Sequence, residues 1–83
     1  MRIAVVGIVI EKDRSASKKV NEILSQYGDC IVGRMGVPDS ADDVYVISII
    51  MKASTETISS MTGKLGRIAN VTVKSAVTNV ETP

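Results

Sequence analysis

Residues 3–10 read Ile3-Ala4-Val5-Val6-Gly7-Ile8-Val9-Ile10, and residues 44–51 read Val44-Tyr45-Val46-Ile47-Ser48-Ile49-Ile50-Met51. Successive side chains of a strand point to opposite faces, so a strand wetted on one side alternates apolar and polar residues. Neither segment alternates. In the first, Ile3, Val5 and Val9 share one face, and Ala4, Val6, Ile8 and Ile10 share the other. Both segments are strands with two apolar faces, and the chain has too few helices to cover both. A sheet face left open would be a large apolar patch. The available cover is another copy of the chain, so the sequence predicts a homo-oligomer, dimer or tetramer, joined through the sheet face.

The rest of the chain places these strands. Glu11-Lys12-Asp13-Arg14-Ser15 is a charged loop, and Ser15 or Ser17 is positioned to cap a helix. Ala16, Val20, Ile23, Leu24 and Tyr27 recur at helical spacing, and Gly28 suits a left-handed stop. Residues 30–35 read as a second strand, and Gly36 to Asp43 as an irregular connection rich in Gly, Pro and Asp. After the third strand, Ser54 or Thr55 caps a second helix with an apolar stripe of Ile58, Met61, Leu65 and Ile68, ending at Gly66. Asn70 precedes a fourth strand, 71–77, in which Val71, Val73 and Val77 alternate with more polar residues as an edge strand would.

The order is β-α-β twice over. This predicts an α+β, ferredoxin-like βαββαβ domain over residues 1–78, with 79–83 as a flexible tail. Right-handed crossovers put both helices on one face of a four-stranded antiparallel sheet and make the first and third strands central. Those are the two strands with two apolar faces, so pattern and topology agree.

Composition excludes several chemistries. There are 10 basic and 9 acidic residues, so no basic excess marks a phosphate-gripping surface. RNA binding on the open sheet face would need exposed aromatics, and Tyr45 is the residue available for it. The chain has no histidine, which removes Ser-His and Cys-His pairs and any His-based metal site. The single cysteine, Cys30, cannot form an internal disulfide, and one thiolate does not hold an iron–sulfur cluster. It reads as a small buried hydrophobe. No metal and no cofactor are expected, and an enzyme of the dimeric ferredoxin-like type is the rival reading. The apolar run at 3–10 is far short of the ~20 residues that span a bilayer, and no secretory signal is evident. A cytoplasmic location is the default expectation.

Several segments together resemble a known family. They are Val6-Gly7-Ile8-Val9-Ile10-Glu11, the stretch from Val20 to Asp29, and Ile31-Val32-Gly33-Arg34-Met35-Gly36-Val37-Pro38. Thr62-Gly63-Lys64-Leu65-Gly66 and Val71-Thr72-Val73-Lys74-Ser75-Ala76 complete the set. The chain resembles the regulators of the iron-only hydrogenase system over nearly its whole length to about Val77. The Gly-Arg-Met-Gly and Gly-Lys-Leu-Gly segments carry most of the specificity. The resemblance implies an oligomeric fold like that of ACT domains and of the C-terminal domain of nickel-responsive regulators. It also implies a non-enzymatic regulatory or adaptor role, with a hydrogenase-system protein or a small molecule as partner. Ligands of ACT-type folds lie at the first loop and helix, so the resemblance implies a site at Glu11, Lys12, Asp13 and Arg14. Arg34 and Gly36, at the end of the second strand, are further contributors. The physical support is that helix N-termini attract anions and that two cationic side chains stand in the loop, so the expected ligand is anionic.

Overall fold

The computed structural model describes residues 1–39 and 41–83. Ser40, in the second connection, lies outside the described residues. Six elements follow one another: β1 (Arg2–Glu11), α1 (Arg14–Gln26), β2 (Ile31–Asp39), β3 (Val44–Ala53), α2 (Thr55–Gly66) and β4 (Val71–Glu81). A short 3-10 turn, Gly28–Cys30, joins α1 to β2. The sheet order is β2-β3-β1-β4, and every neighbouring pair is antiparallel. β1 and β3 are therefore central, as the ferredoxin-like arrangement requires.

Burial divides the faces of the central strands. Ala4, Val6, Ile8 and Ile10 of β1 are buried, with Ile47, Ile49, Met51 and Ala53 of β3 beside them. Ala16, Val20 and Leu24 of α1 and Ile58, Met61 and Leu65 of α2 close this core from one side. Each fully buried aliphatic side chain contributes about 1.5–3 kcal/mol relative to exposure. The helices are tied across their surfaces by the Tyr27 hydroxyl, 3.0 Å from Ser60 Oγ, and by the Lys64 ammonium, 5.1 Å above the Tyr27 ring. Ile8 and Ile49 belong to this inner face. The outer face holds the residues between them: Ile3, Val5, Gly7 and Val9 on β1, and Val44, Val46, Ser48, Ile50 and Lys52 on β3.

Several local expectations are corrected. The cap of α1 is Asp13, not Ser15 or Ser17; its Oδ1 accepts from the backbone N–H of Ser15 at 3.0 Å and of Ala16 at 3.1 Å. A carboxylate one residue ahead of the helix outcompetes hydroxyls already inside it. Ser54 is the cap of α2, accepting from Thr57 N–H at 3.2 Å. β2 does not end at residue 35: Gly36, Val37, Pro38 and Asp39 continue it, paired with Ile47, Val46, Tyr45 and Val44. Proline is tolerated there because β2 is an edge strand. Cys30 lies in the 3-10 turn, half-buried against the core. β4 runs past residue 78, through residues assigned to the tail, because the start of β1 gives it a partner. Arg2 pairs with Glu81, and Thr82 N–H donates to Met1 O at 2.8 Å.

No glycine takes a left-handed conformation, so Gly28 does not stop α1 that way. That backbone region is occupied instead by Lys12 (φ 49°), Asp43 (φ 54°) and Asn70 (φ 66°). All three lie in loops at one end of the sheet. Lys12 N–H donates to Asp43 O at 3.0 Å, and Glu11 N–H donates to Asn70 O at 2.9 Å. Asp and Asn enter this region more readily than other non-glycine residues. Lys12 is held there by its bond to the hairpin.

Candidate functional site

Two surfaces carry function-bearing features, and the sheet register sets both. The first is a groove of about 250 Å³ at the loop end of the sheet. One wall is the β1–α1 loop with the first turn of α1; the other is the β2–β3 hairpin. Antiparallel pairing opposes Glu11 to Val44 and so brings the hairpin beside the loop.

Of the six residues expected to bind a ligand, Lys12, Asp13 and Arg14 line this groove. Glu11 does not line it; as the last residue of β1 it follows Val9 on the outer face. Arg34 points elsewhere: its guanidinium donates to Asn21 Oδ1 of α1. Gly36 lies against the Tyr45 ring, for a Cβ there would collide with the Tyr45 hydroxyl. Its missing side chain makes room for that ring. The hairpin wall, with Pro38, Asp39, Asp43 and Tyr45, was not anticipated as part of a site. The signal for it is the β1–β3 register, which the sequence pattern leaves open.

Charge in the groove is mixed. Lys12 and Arg14 face Asp13, Asp39 and Asp43. Two of these carboxylates are already engaged. Asp39 accepts from the N–H groups of Ala41 at 3.1 Å and Asp42 at 3.3 Å, closing the hairpin turn. Asp13 accepts from the Ser15 hydroxyl at 2.6 Å, Asn70 Nδ2 at 3.1 Å and the α1 N–H groups. The Ser15 hydroxyl, then Asn70, then the Ala16 amide hold its carboxyl below the usual 3.8, at about 2. The start of α1 thus carries its own anion, and a ligand's negative charge is left to the Lys12 and Arg14 side chains. Among the described residues no group of three or more acidic or cysteine side chains is arranged to hold a metal ion.

The second surface is the sheet face away from the helices. Val5 is 44% exposed and Ile50 47%, although both sit at the centre of the sheet. Val46, Val37 and Met35 extend the apolar area across β3 and β2. Neither tyrosine lies on it. Tyr45 pairs with Ile10 and Pro38 on the helix side, and Tyr27 caps α1. The aromatic offered for stacking RNA bases is on the opposite face. Among the described residues no helix is long and apolar enough to cross a membrane.

Comparison with known proteins agrees with this architecture. The uncharacterized protein TM1266 from Thermotoga maritima is 33% identical, with TM-score 0.89, covering 92% of this chain and 95% of that one. The ACT domain of GTP pyrophosphokinase from Chlorobium tepidum is 18% identical, with TM-score 0.74, covering 92% and 100%. An ACT domain protein from Streptococcus pneumoniae is 12% identical, with TM-score 0.62, covering 92% and 89%. The two ACT likenesses show the fold alone. No curated protein matches the chain. The TM1266-like family model, described as "Iron-only hydrogenase system regulator, putative", matches residues 2–75. With its α+β ferredoxin-like, ACT-like fold and a close likeness along nearly its whole length, the chain belongs to the TM1266-like family.

Proposed function

We propose that this protein is a non-enzymatic regulatory or adaptor module of an iron-only hydrogenase system. It works as a homo-oligomer joined through the open sheet face and takes a small ligand with an anionic group in the loop-end groove. The observation that carries the reading is the exposed apolar centre of the sheet, Val5, Val46 and Ile50. A central strand has no reason to keep such residues in water, and a second copy removes them from it. Ligand binding is supported by Lys12 and Arg14, whose charges converge on a groove built from two chain segments that also bond to one another. A groove of this size suits a small metabolite; drug-sized ligands take roughly 300 Å³ or more. The family supplies the link to the hydrogenase system.

The test is sedimentation velocity of the wild type and of Ile50→Lys. Wild type should be a dimer or larger at micromolar concentration, and Ile50→Lys a folded monomer by circular dichroism. A folded wild-type monomer would overturn the reading. Native mass spectrometry of protein from its source examines the groove: a retained small molecule should be lost from the Lys12→Ala/Arg14→Ala variant.

A further inference from the structure

The open face is polar at its two ends, and the ends have opposite sign. At the loop end, Asp39, Val44 and Glu11 form a row across β2, β3 and β1. At the other end, Lys52 lies beside Ile3. Glu11, Asp39 and Lys52 make no ion pair within the chain; among the described residues the ion pair is Arg2–Glu81. Midway lies a row of Met35, Ser48, Gly7 and Lys74, small at its centre. It is flanked by Val46 and Val9 on one side and by Ile50 and Val5 on the other.

We propose that two copies stack face to face with their strands antiparallel, related by a two-fold axis along the Gly7–Ser48 row. This rests on the sheet-face association proposed above and adds its orientation. Around that axis the Val46/Val9 row of one copy covers the Ile50/Val5 row of the other. Lys52 of each copy lies over the Val44–Glu11 end of its partner, and the small central row lets the sheets approach.

The alternative two-fold axis runs along the strands. It gathers Glu11 and Asp39 of both copies at one end and both Lys52 residues at the other, and like charges brought together oppose association. Lys74 is the exception: it lies on the proposed axis, so the Lys74 residues of the two copies come together there with no carboxylate between them. It stands on the edge strand β4, where a long side chain keeps its ammonium in water. The area suffices: four strands about 4.8 Å apart and about nine residues long present roughly 600 Å² per copy. Two copies would bury roughly 1,200 Å², the lower bound of specific stable interfaces.

Zero-length carbodiimide cross-linking followed by peptide mass spectrometry tests the orientation. Lys52 is eight residues along β3 from the row holding Glu11 and Asp39, roughly 26 Å away, so neither carboxylate can reach it within one chain. Lys52–Glu11 or Lys52–Asp39 cross-links are expected from the wild-type dimer. Lys52→Glu should weaken association about tenfold at low salt and less at high salt. Lys52→Glu combined with Glu11→Lys should recover most of the loss. A dimer that Ile50→Lys dissociates, yet lacks these cross-links and is indifferent to Lys52→Glu, overturns the orientation and spares sheet-face association. A dimer indifferent to Ile50→Lys, or a wild-type monomer, overturns both.

Discussion

Asp13 ties two loops together with one side chain. It caps α1, accepts from Ser15 and Ala16, and takes the Asn70 amide from the α2–β4 loop. Those bonds favour the carboxylate, so its folded value of about 2 lies below the ordinary 3.8. A depressed carboxyl contributes stability above its unfolded value and loses it as protons bind the native state. The contribution should be complete above about pH 4 and fade between pH 4 and 2. Carboxyl NMR should place the Asp13 midpoint near 2, and Asn70→Ala should raise it. Asp13→Asn should flatten the acid loss of stability over that interval. A wild-type midpoint at 3.8 would show that these bonds do not persist in solution. Gly36 serves the same end of the molecule differently. Gly36→Ala should displace the Tyr45 ring and reshape the groove, seen as a shift in Tyr45 fluorescence, since the added methyl meets the phenol directly.

Neighbouring residues of β3 separate folding from assembly. Ile49 is fully buried under the helices and Ile50 is 47% exposed on the other face. Ile49→Lys buries an unpaired charge, costing several kcal/mol, enough to unfold a domain of this size. Ile50→Lys should leave the fold intact and abolish assembly. Thermal melts beside sedimentation read both outcomes, and equal effects would contradict the register. Among the helices, α2 carries an avoidable weakness. A Cβ at Gly63 meets nothing within 4 Å, and the residue lies inside the helix. Gly63→Ala should stabilise by about 0.8–1 kcal/mol, raising the melting temperature by about 4–8 °C.

For the whole molecule, association and stability are one measurement. A chain of 83 residues buries only about 60–65% of its unfolded surface alone. Covering the open face adds buried apolar area without adding residues. Assembly that favours the folded state makes the melting temperature depend on concentration. Wild type should therefore melt higher at 100 µM than at 1 µM, whereas Ile50→Lys should melt at one temperature throughout. A wild-type melt independent of concentration would separate stability from assembly.

Which strands are central, and that both their faces are apolar, was legible in residues 3–10 and 44–51, because strand periodicity is local and needs no partner. The helix stripes at Val20/Leu24 and Ile58/Met61/Leu65 were legible for the same reason. The register was not. Sequence spacing does not decide which apolar face of either strand turns outward, and only pairing of Val6 with Ile49 and Ile8 with Ile47 under the helices puts Ile8 and Ile49 inward. The groove was half legible. Lys12, Asp13 and Arg14 are consecutive and announce a charged loop, whereas Asp39, Asp43 and Tyr45 reach it through the β1–β3 ladder, some thirty residues away along the chain. At the start of α1, Asp13 is held first by its sequence neighbours Ser15 and Ala16, and only its bond to Asn70 of a distant loop was decided in three dimensions. Periodicity records which side chains avoid water; which partners they meet there depends on register, and register is settled only when the whole sheet and its helices pack at once.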